Sequence, residues 1–166
     1  MKKIITLLAV VGMFSLQSCT TTTDVNPIDN DTISTVFEVT TSFNTTNNFS
    51  KLTTFATPIY SSDIVLVYHL YDVVNGNDVW RLMPQDYYIA GSGDLYYNFD
   101  FTKFDVNIFL DATFPLNTLS AVWTQNQTFR IVIVPASFAT SVNTSNYSSV
   151  MAALKINESQ IQKVNF

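Results

Sequence analysis

The sequence predicts a mainly all-β protein: an antiparallel β-sandwich of about seven to nine strands with one short C-terminal helix. Three observations carry that prediction. Apolar residues recur with a period of two through most of the chain. Turn residues interrupt these runs roughly every 8 to 12 residues. An Asn75-Gly76 pair stands between two apolar runs, where a two-residue hairpin turn needs positive φ at both central positions. The composition, 47% hydrophobic and 14% aromatic, is ample for a core. That core needs no disulfide, because the one cysteine, Cys19, precedes every predicted strand.

The first element is not part of the sandwich. Lys2 and Lys3 lead into an apolar segment over residues 4–14, followed by "SLQSC". A charged start, a short apolar stretch and a small-residue exit make up an export signal. A membrane-spanning helix needs about 20 apolar residues, so this segment is too short to remain as an anchor. Residues Leu16, Gln17, Ser18 and Cys19 resemble the lipobox of bacterial lipoproteins, in which the signal is cut before a cysteine that carries a diacylglycerol. The resemblance implies a signal peptide over residues 1–18, lipidation of Cys19 and a diacylglycerol membrane anchor. The next apolar residue is Val25, so Cys19 has no local core to enter as a buried thiol.

Cleavage there removes Lys2 and Lys3, leaves 148 of the 166 residues and takes the formal net charge from −5 to −7. An acidic chain without clustered Lys or Arg lacks the footprint of nucleic-acid binding, and an anionic lipid surface repels it. Membrane attachment then falls to the lipid. Stable anchoring takes more than one acyl chain, which a diacylated cysteine provides.

Residues 19–32, "CTTTTDVNPIDNDT", are polar and proline-marked, and read as an extended tether of roughly 40 Å. Asp31-Thr32-Ile33 resembles the acceptor motif of Bacteroidota O-glycosylation, which makes Thr32 a candidate modification site. The folded domain is expected over residues 33–166.

Within it, Ile33, Thr35, Phe37 and Val39 alternate with Ser34, Val36, Glu38 and Thr40, which predicts a half-buried strand. A turn rich in Asn and Thr feeds a second strand near residues 51–55. The stretch "DIVLVYHLY", residues 63–71, is apolar on both faces and predicts a central strand covered on both sides. It extends to Val74, turns at Asn75-Gly76 and returns through residues 78–83. Residues 87–90 and 94–101 form a second hairpin about Gly91-Ser92-Gly93. Its apolar set, Leu95, Tyr97, Phe99 and Phe101, is odd-numbered, whereas the next set, Phe104, Val106, Ile108 and Leu110, is even. A bulge or tight turn must therefore sit at Thr102-Lys103. Residues 111–117 contain Pro115 and read as a loop, and "QTFRIVIV" is the last long strand, ended by Pro135.

Tyr147, Val150, Met151 and Leu154 fall at i, i+3, i+4 and i+7, the spacing of one helical face, with Ser145 or Asn146 as N-cap. That face is expected to cover one end of the core. Residues 161–166 supply a closing strand.

Little in this chain is equipped for chemistry. The single histidine, His69, lies in the most apolar strand, and the one thiol is assigned to lipid, so a zinc site lacks its ligands. Ser61 or Ser62, His69 and Asp72 could nominally form a triad, but triads are recognised by geometry in space. Aspartates at 63, 72, 78, 94 and 111 fall in or beside predicted turns, where they bond their own backbone. No dinucleotide fingerprint or phosphate loop occurs. No metal, cofactor or catalytic residue is expected, and the chain is read as a non-enzyme.

The lipobox, polar tether and Asn- and Tyr-rich β-domain together resemble the small lipoproteins of Bacteroidota. That likeness implies a cell-envelope protein, lipid-anchored in the outer membrane, since Thr20 replaces the aspartate that marks inner-membrane retention elsewhere. The expected function is a non-catalytic β-sandwich module that binds or supports a protein or glycan partner in the envelope. A second reading is a carbohydrate-binding module that stacks sugars on exposed Trp80 and Trp123, aided by the pairs Tyr87-Tyr88 and Tyr96-Tyr97, of which alternation sends one member inward. A third is an envelope hydrolase, which requires carboxylates or His69 to converge in a pocket.

Overall fold

The computed structural model describes residues 34–164. The predicted signal segment and tether, with Cys19 and Thr32, lie outside these described residues. The described chain is mainly β, with nine strands in two sheets. The strands are β1 (Thr35–Thr41), β2 (Ser50–Thr54), β3 (Asp63–Val74), β4 (Asn77–Leu82), β5 (Gln85–Ile89), β6 (Gly93–Phe101), β7 (Asp105–Ala112), β8 (Gln127–Pro135) and β9 (Gln162–Val164). One sheet runs β4-β3-β8-β1-β9 and the other β2-β7-β6-β5. Every pairing is antiparallel except β1 with β9, which is parallel.

Local chemistry accounts for the hairpins. Asn75 and Gly76 hold φ of 52° and 78°, the positive values that the β3–β4 turn demands. At residues 102–105 the Thr102 amide donates to the Asp105 carbonyl, and Thr102 Oγ1 donates to Asp105 Oδ1 at 2.7 Å. This turn moves the apolar set from odd positions in β6 to even positions in β7. Leu95 and Tyr97 consequently face the same interior as Val106, Ile108 and Leu110.

The interior between the sheets is filled by Phe37 and Val39 of β1, Val65 and Val67 of β3, Phe129, Ile131 and Ile133 of β8, and the β6 and β7 residues just named. A second apolar layer lies on the other side of the five-stranded sheet. Val36, Leu66, Tyr68, Val132 and Val134 are covered there by Val150, Met151 and Ile161. β3 is therefore buried on both faces from Val65 to His69, as its apolar run predicts, whereas from Tyr71 to Val74 the strand is exposed.

Three helices accompany the strands: α1 (Ala121–Thr124), α2 (Ala136–Ser141) and α3 (Tyr147–Leu154). The predicted C-terminal helix is α3, capped by the Asn146 side chain, which accepts from the Ser149 amide at 3.0 Å. Two expectations need correction. α3 covers the outer face of the five-stranded sheet and not an end of the core, and α1 and α2 are additional short helices. That cover also makes β1 fully buried from Val36 to Val39, Glu38 included, where alternation alone predicts a half-buried strand.

Candidate functional site

The two sheets present their outer faces differently. On the five-stranded sheet, residues paired across the strands form the row Leu82, Tyr68, Arg130, Glu38, Lys163. Arg130 and Glu38 are buried, so their charges need partners at close range. Arg130 Nε donates to Glu38 Oε2 at 3.0 Å, while Nη1 and Nη2 hold the Glu158 carboxylate at 2.7 and 2.6 Å. Arg130 Nη1 also bonds the Tyr147 hydroxyl, and Lys163 Nζ lies 3.2 Å from Glu38 Oε1. Burial depresses the Arg130 pKa, but the bonds to Glu158 and Tyr147 outweigh it and the net direction is up. Burial pushes the Tyr147 phenol up to about 12. This network ties α3, the turn around Glu158 and β9 to the sheet. It is internal structure.

Trp80 belongs to that network. Its ring lies 4.2 Å from the Arg130 guanidinium carbon and 5.4 Å from the Tyr147 ring. Trp123 is on the opposite side of the same sheet, half-buried in α1 with its ring 5.1 Å from Tyr87. The structure does not bring the two tryptophans onto one face.

His69 is buried between the sheets, stacked on Tyr97 at 4.6 Å and Phe129 at 4.8 Å. Its Nε2 pairs with Gln127 Oε1 at 2.9 Å. The Gln127 amide nitrogen is committed to the Val122 and Gln125 carbonyls, so Oε1 accepts and His69 Nε2 carries the proton. Burial lowers the His69 pKa, opposed by the Gln127 bond and reinforced by Arg81. The nominal triad is not assembled. Asp72 Oδ1 accepts from the Val73 amide, and Ser62 stands seven residues from His69 along an extended strand, about 23 Å away.

Among the described residues, the outer face of the four-stranded sheet is bare. No helix among the described residues packs on it, and none of its outward side chains is buried. Alternation divides the tyrosine pairs as expected: Tyr87 and Tyr97 enter the core, whereas Tyr88 and Tyr96 face out. The register then creates a pattern. Tyr88 opposes Asp94, Tyr96 stands between Asp86 and Asp111, Phe109 between Asn98 and Ser50, and Leu52 opposes Asn107. Each apolar residue is displaced by two positions from the one on the neighbouring strand. Tyr88, Tyr96, Phe109 and Leu52 thus form one diagonal stripe over β5, β6, β7 and β2, with steps of about 7–8 Å.

Carboxylates flank the stripe. The Tyr96 phenol is raised above its ordinary value by desolvation and then by Asp94, Asp86 and Asp111; the register sets Asp86 and Asp111 opposite it, and Asp94 lies two residues away on its own strand. Asp94 and Asp111, expected in or beside turns, lie near the start of β6 and near the end of β7 and face outward here. The carboxylates are spread along the face, and among the described residues no three His, Cys, Asp or Glu side chains converge to hold a metal ion. Lys51 is the one cation in these four strands and shares a row with Ile108 of the inner face.

The tyrosine pairs are visible in the sequence, but nothing local marks Phe109, Leu52 and the nearby aspartates as their neighbours. Only the pairing register aligns them. No family model, curated protein or solved structure matches the chain.

Proposed function

We propose that this chain is a lipid-anchored protein of the bacterial cell envelope whose β-sandwich is a non-catalytic binding module. Cys19 carries the diacylglycerol, the polar tether spaces the domain from the outer membrane, and the bare face of the four-stranded sheet receives the partner. The observation that carries this reading is the asymmetry of the sandwich. One outer face is sealed by α3 and the Arg130 network, while the other exposes an apolar stripe among carboxylates.

Two measurements test it. The Cys19→Ala chain is expected to lose acyl label and leave the membrane fraction; an unchanged label and membrane retention would refute the anchor. Photo-crosslinkers placed at Asp86 on the bare face and Ser148 on the helical side are expected to trap envelope partners from Asp86 only. Equal trapping at both positions would refute the binding face.

A further inference from the structure

We infer that the bare sheet face binds an extended, uncharged glycan laid along the Tyr88–Tyr96–Phe109–Leu52 diagonal. This rests on the reading of that face as the binding surface and adds the chemical class of its occupant.

Charge removes the anionic alternatives. Asp86, Asp94 and Asp111 surround the stripe, and the four strands place no Lys or Arg on this face. Nucleic acid, anionic lipid and uronic or sulfated polysaccharides would meet like charge. Its aspartates also set this face apart from the centre of a protein–protein interface, which is rich in aromatic residues, as the stripe is, but depleted in aspartate.

What remains suits sugar. Pyranose rings present apolar C–H faces to aromatic side chains, and their hydroxyls donate hydrogen bonds. Tyr88 is 76% exposed and Leu52 58%, so the two ends of the stripe are open to a ligand. Asp86, Asp94, Asp111 and the amide of Asn98 lie in the rows beside the rings, where their oxygens can accept from hydroxyl groups. A ligand running one strand per step must be linear and span the full width of the sheet. The rigid β-ladders fix the spacing of the rings before the ligand arrives, which limits the entropy lost on binding.

The test is affinity electrophoresis of the full chain, solubilised in detergent, through gels containing laminarin, soluble starch or xyloglucan, with polygalacturonate as the anionic control. Retardation by at least one neutral polysaccharide and none by polygalacturonate is expected. Tyr88→Ala and Tyr96→Ala should each weaken retardation roughly tenfold, while Tyr88→Phe, which keeps the ring, should retain it. Thermal melting of each variant checks that the fold survives. Failure of all three neutral polysaccharides, or retardation that is indifferent to Tyr88→Ala, would overturn the inference. If glycans fail but crosslinking from Asp86 still captures a partner and is lost in Tyr96→Ala, the binding face stands and its occupant is not a glycan. If that crosslinking is unaffected by Tyr96→Ala, the binding face falls as well.

Discussion

Arg130 and Glu38 oppose each other across the β1–β8 ladder, Nε to Oε2 at 3.0 Å, with side chains only 4% and 9% exposed. Removing Arg130 leaves the buried Glu38 carboxylate with Lys163, whose side chain is 72% exposed, as its remaining ionic partner. Arg130→Ala is therefore expected to cost about 3–5 kcal/mol in urea unfolding. The double variant Arg130→Met with Glu38→Leu should recover much of that loss. Glu158 and Lys163, whose side chains are 66% and 72% exposed, return to water when the pair is removed. A double variant no more stable than Arg130→Ala would show that the network stabilises beyond its own desolvation.

Stability should fall on the acid side in two windows. His69 has a folded pKa below its ordinary value, chiefly because burial disfavours the cation. The unfolded chain takes the proton first, so stability declines as pH drops below about 6.5 toward the folded value. His69→Phe removes that slope. Glu158 is also lowered, first by its hydrogen bond to Arg130. Its contribution is complete above the unfolded carboxylate value of about 4.3 and is lost as pH falls through the lower folded value. Glu158→Gln flattens that second window alone, measurable as urea midpoints across pH.

The two ends of α3 should respond in opposite directions. Asn146→Ala removes the side chain that accepts from the Ser149 amide and should cost about 1 kcal/mol. Lys155 closes the helix at φ 55°, a left-handed conformation that glycine adopts without a Cβ penalty. Lys155→Gly should raise stability by about 0.5–1 kcal/mol, since this residue lies beyond the helix interior. Thermal melting of the pair checks both signs.

Two hairpin glycines should differ in cost. Gly76, at φ 78°, has open space around the position of a Cβ, so Gly76→Ala incurs only backbone strain of about 1 kcal/mol. At Gly93, φ 137°, a Cβ would lie 2.3 Å from Thr113 Oγ1, the atom that accepts from the Asp94 amide at 2.9 Å. Gly93→Ala must displace Thr113 and break that bond, so it should destabilise the chain more than Gly76→Ala. It should also weaken the Asp94 end of the bare face, read as reduced crosslinking from Asp86.

Where the information is local, the sequence was sufficient. Asn75-Gly76 specified its hairpin because φ at both positions is a property of two residues. The odd-to-even shift at Thr102-Lys103 specified a turn because a strand has period two. Tyr147, Val150, Met151 and Leu154 specified α3 for the same kind of reason at period 3.6. The tyrosine pairs could be divided into inner and outer members by alternation alone.

Placement across the sheets was not local. Trp80 and Trp123 carry the same composition signal, yet Trp80 in β4 packs against Arg130 and Trp123 in α1 against Tyr87, on opposite sides of a sheet. Glu38 gave no sign of burial until Arg130, 92 residues away, was aligned with it. The sequence by itself determined where most of the strands run, where they turn and which side chains alternate. Tertiary structure alone decided which outward residues become neighbours. Alternation assigns a side chain to a face, but only the hydrogen-bonded register between distant strands sets the diagonal from Tyr88 to Leu52.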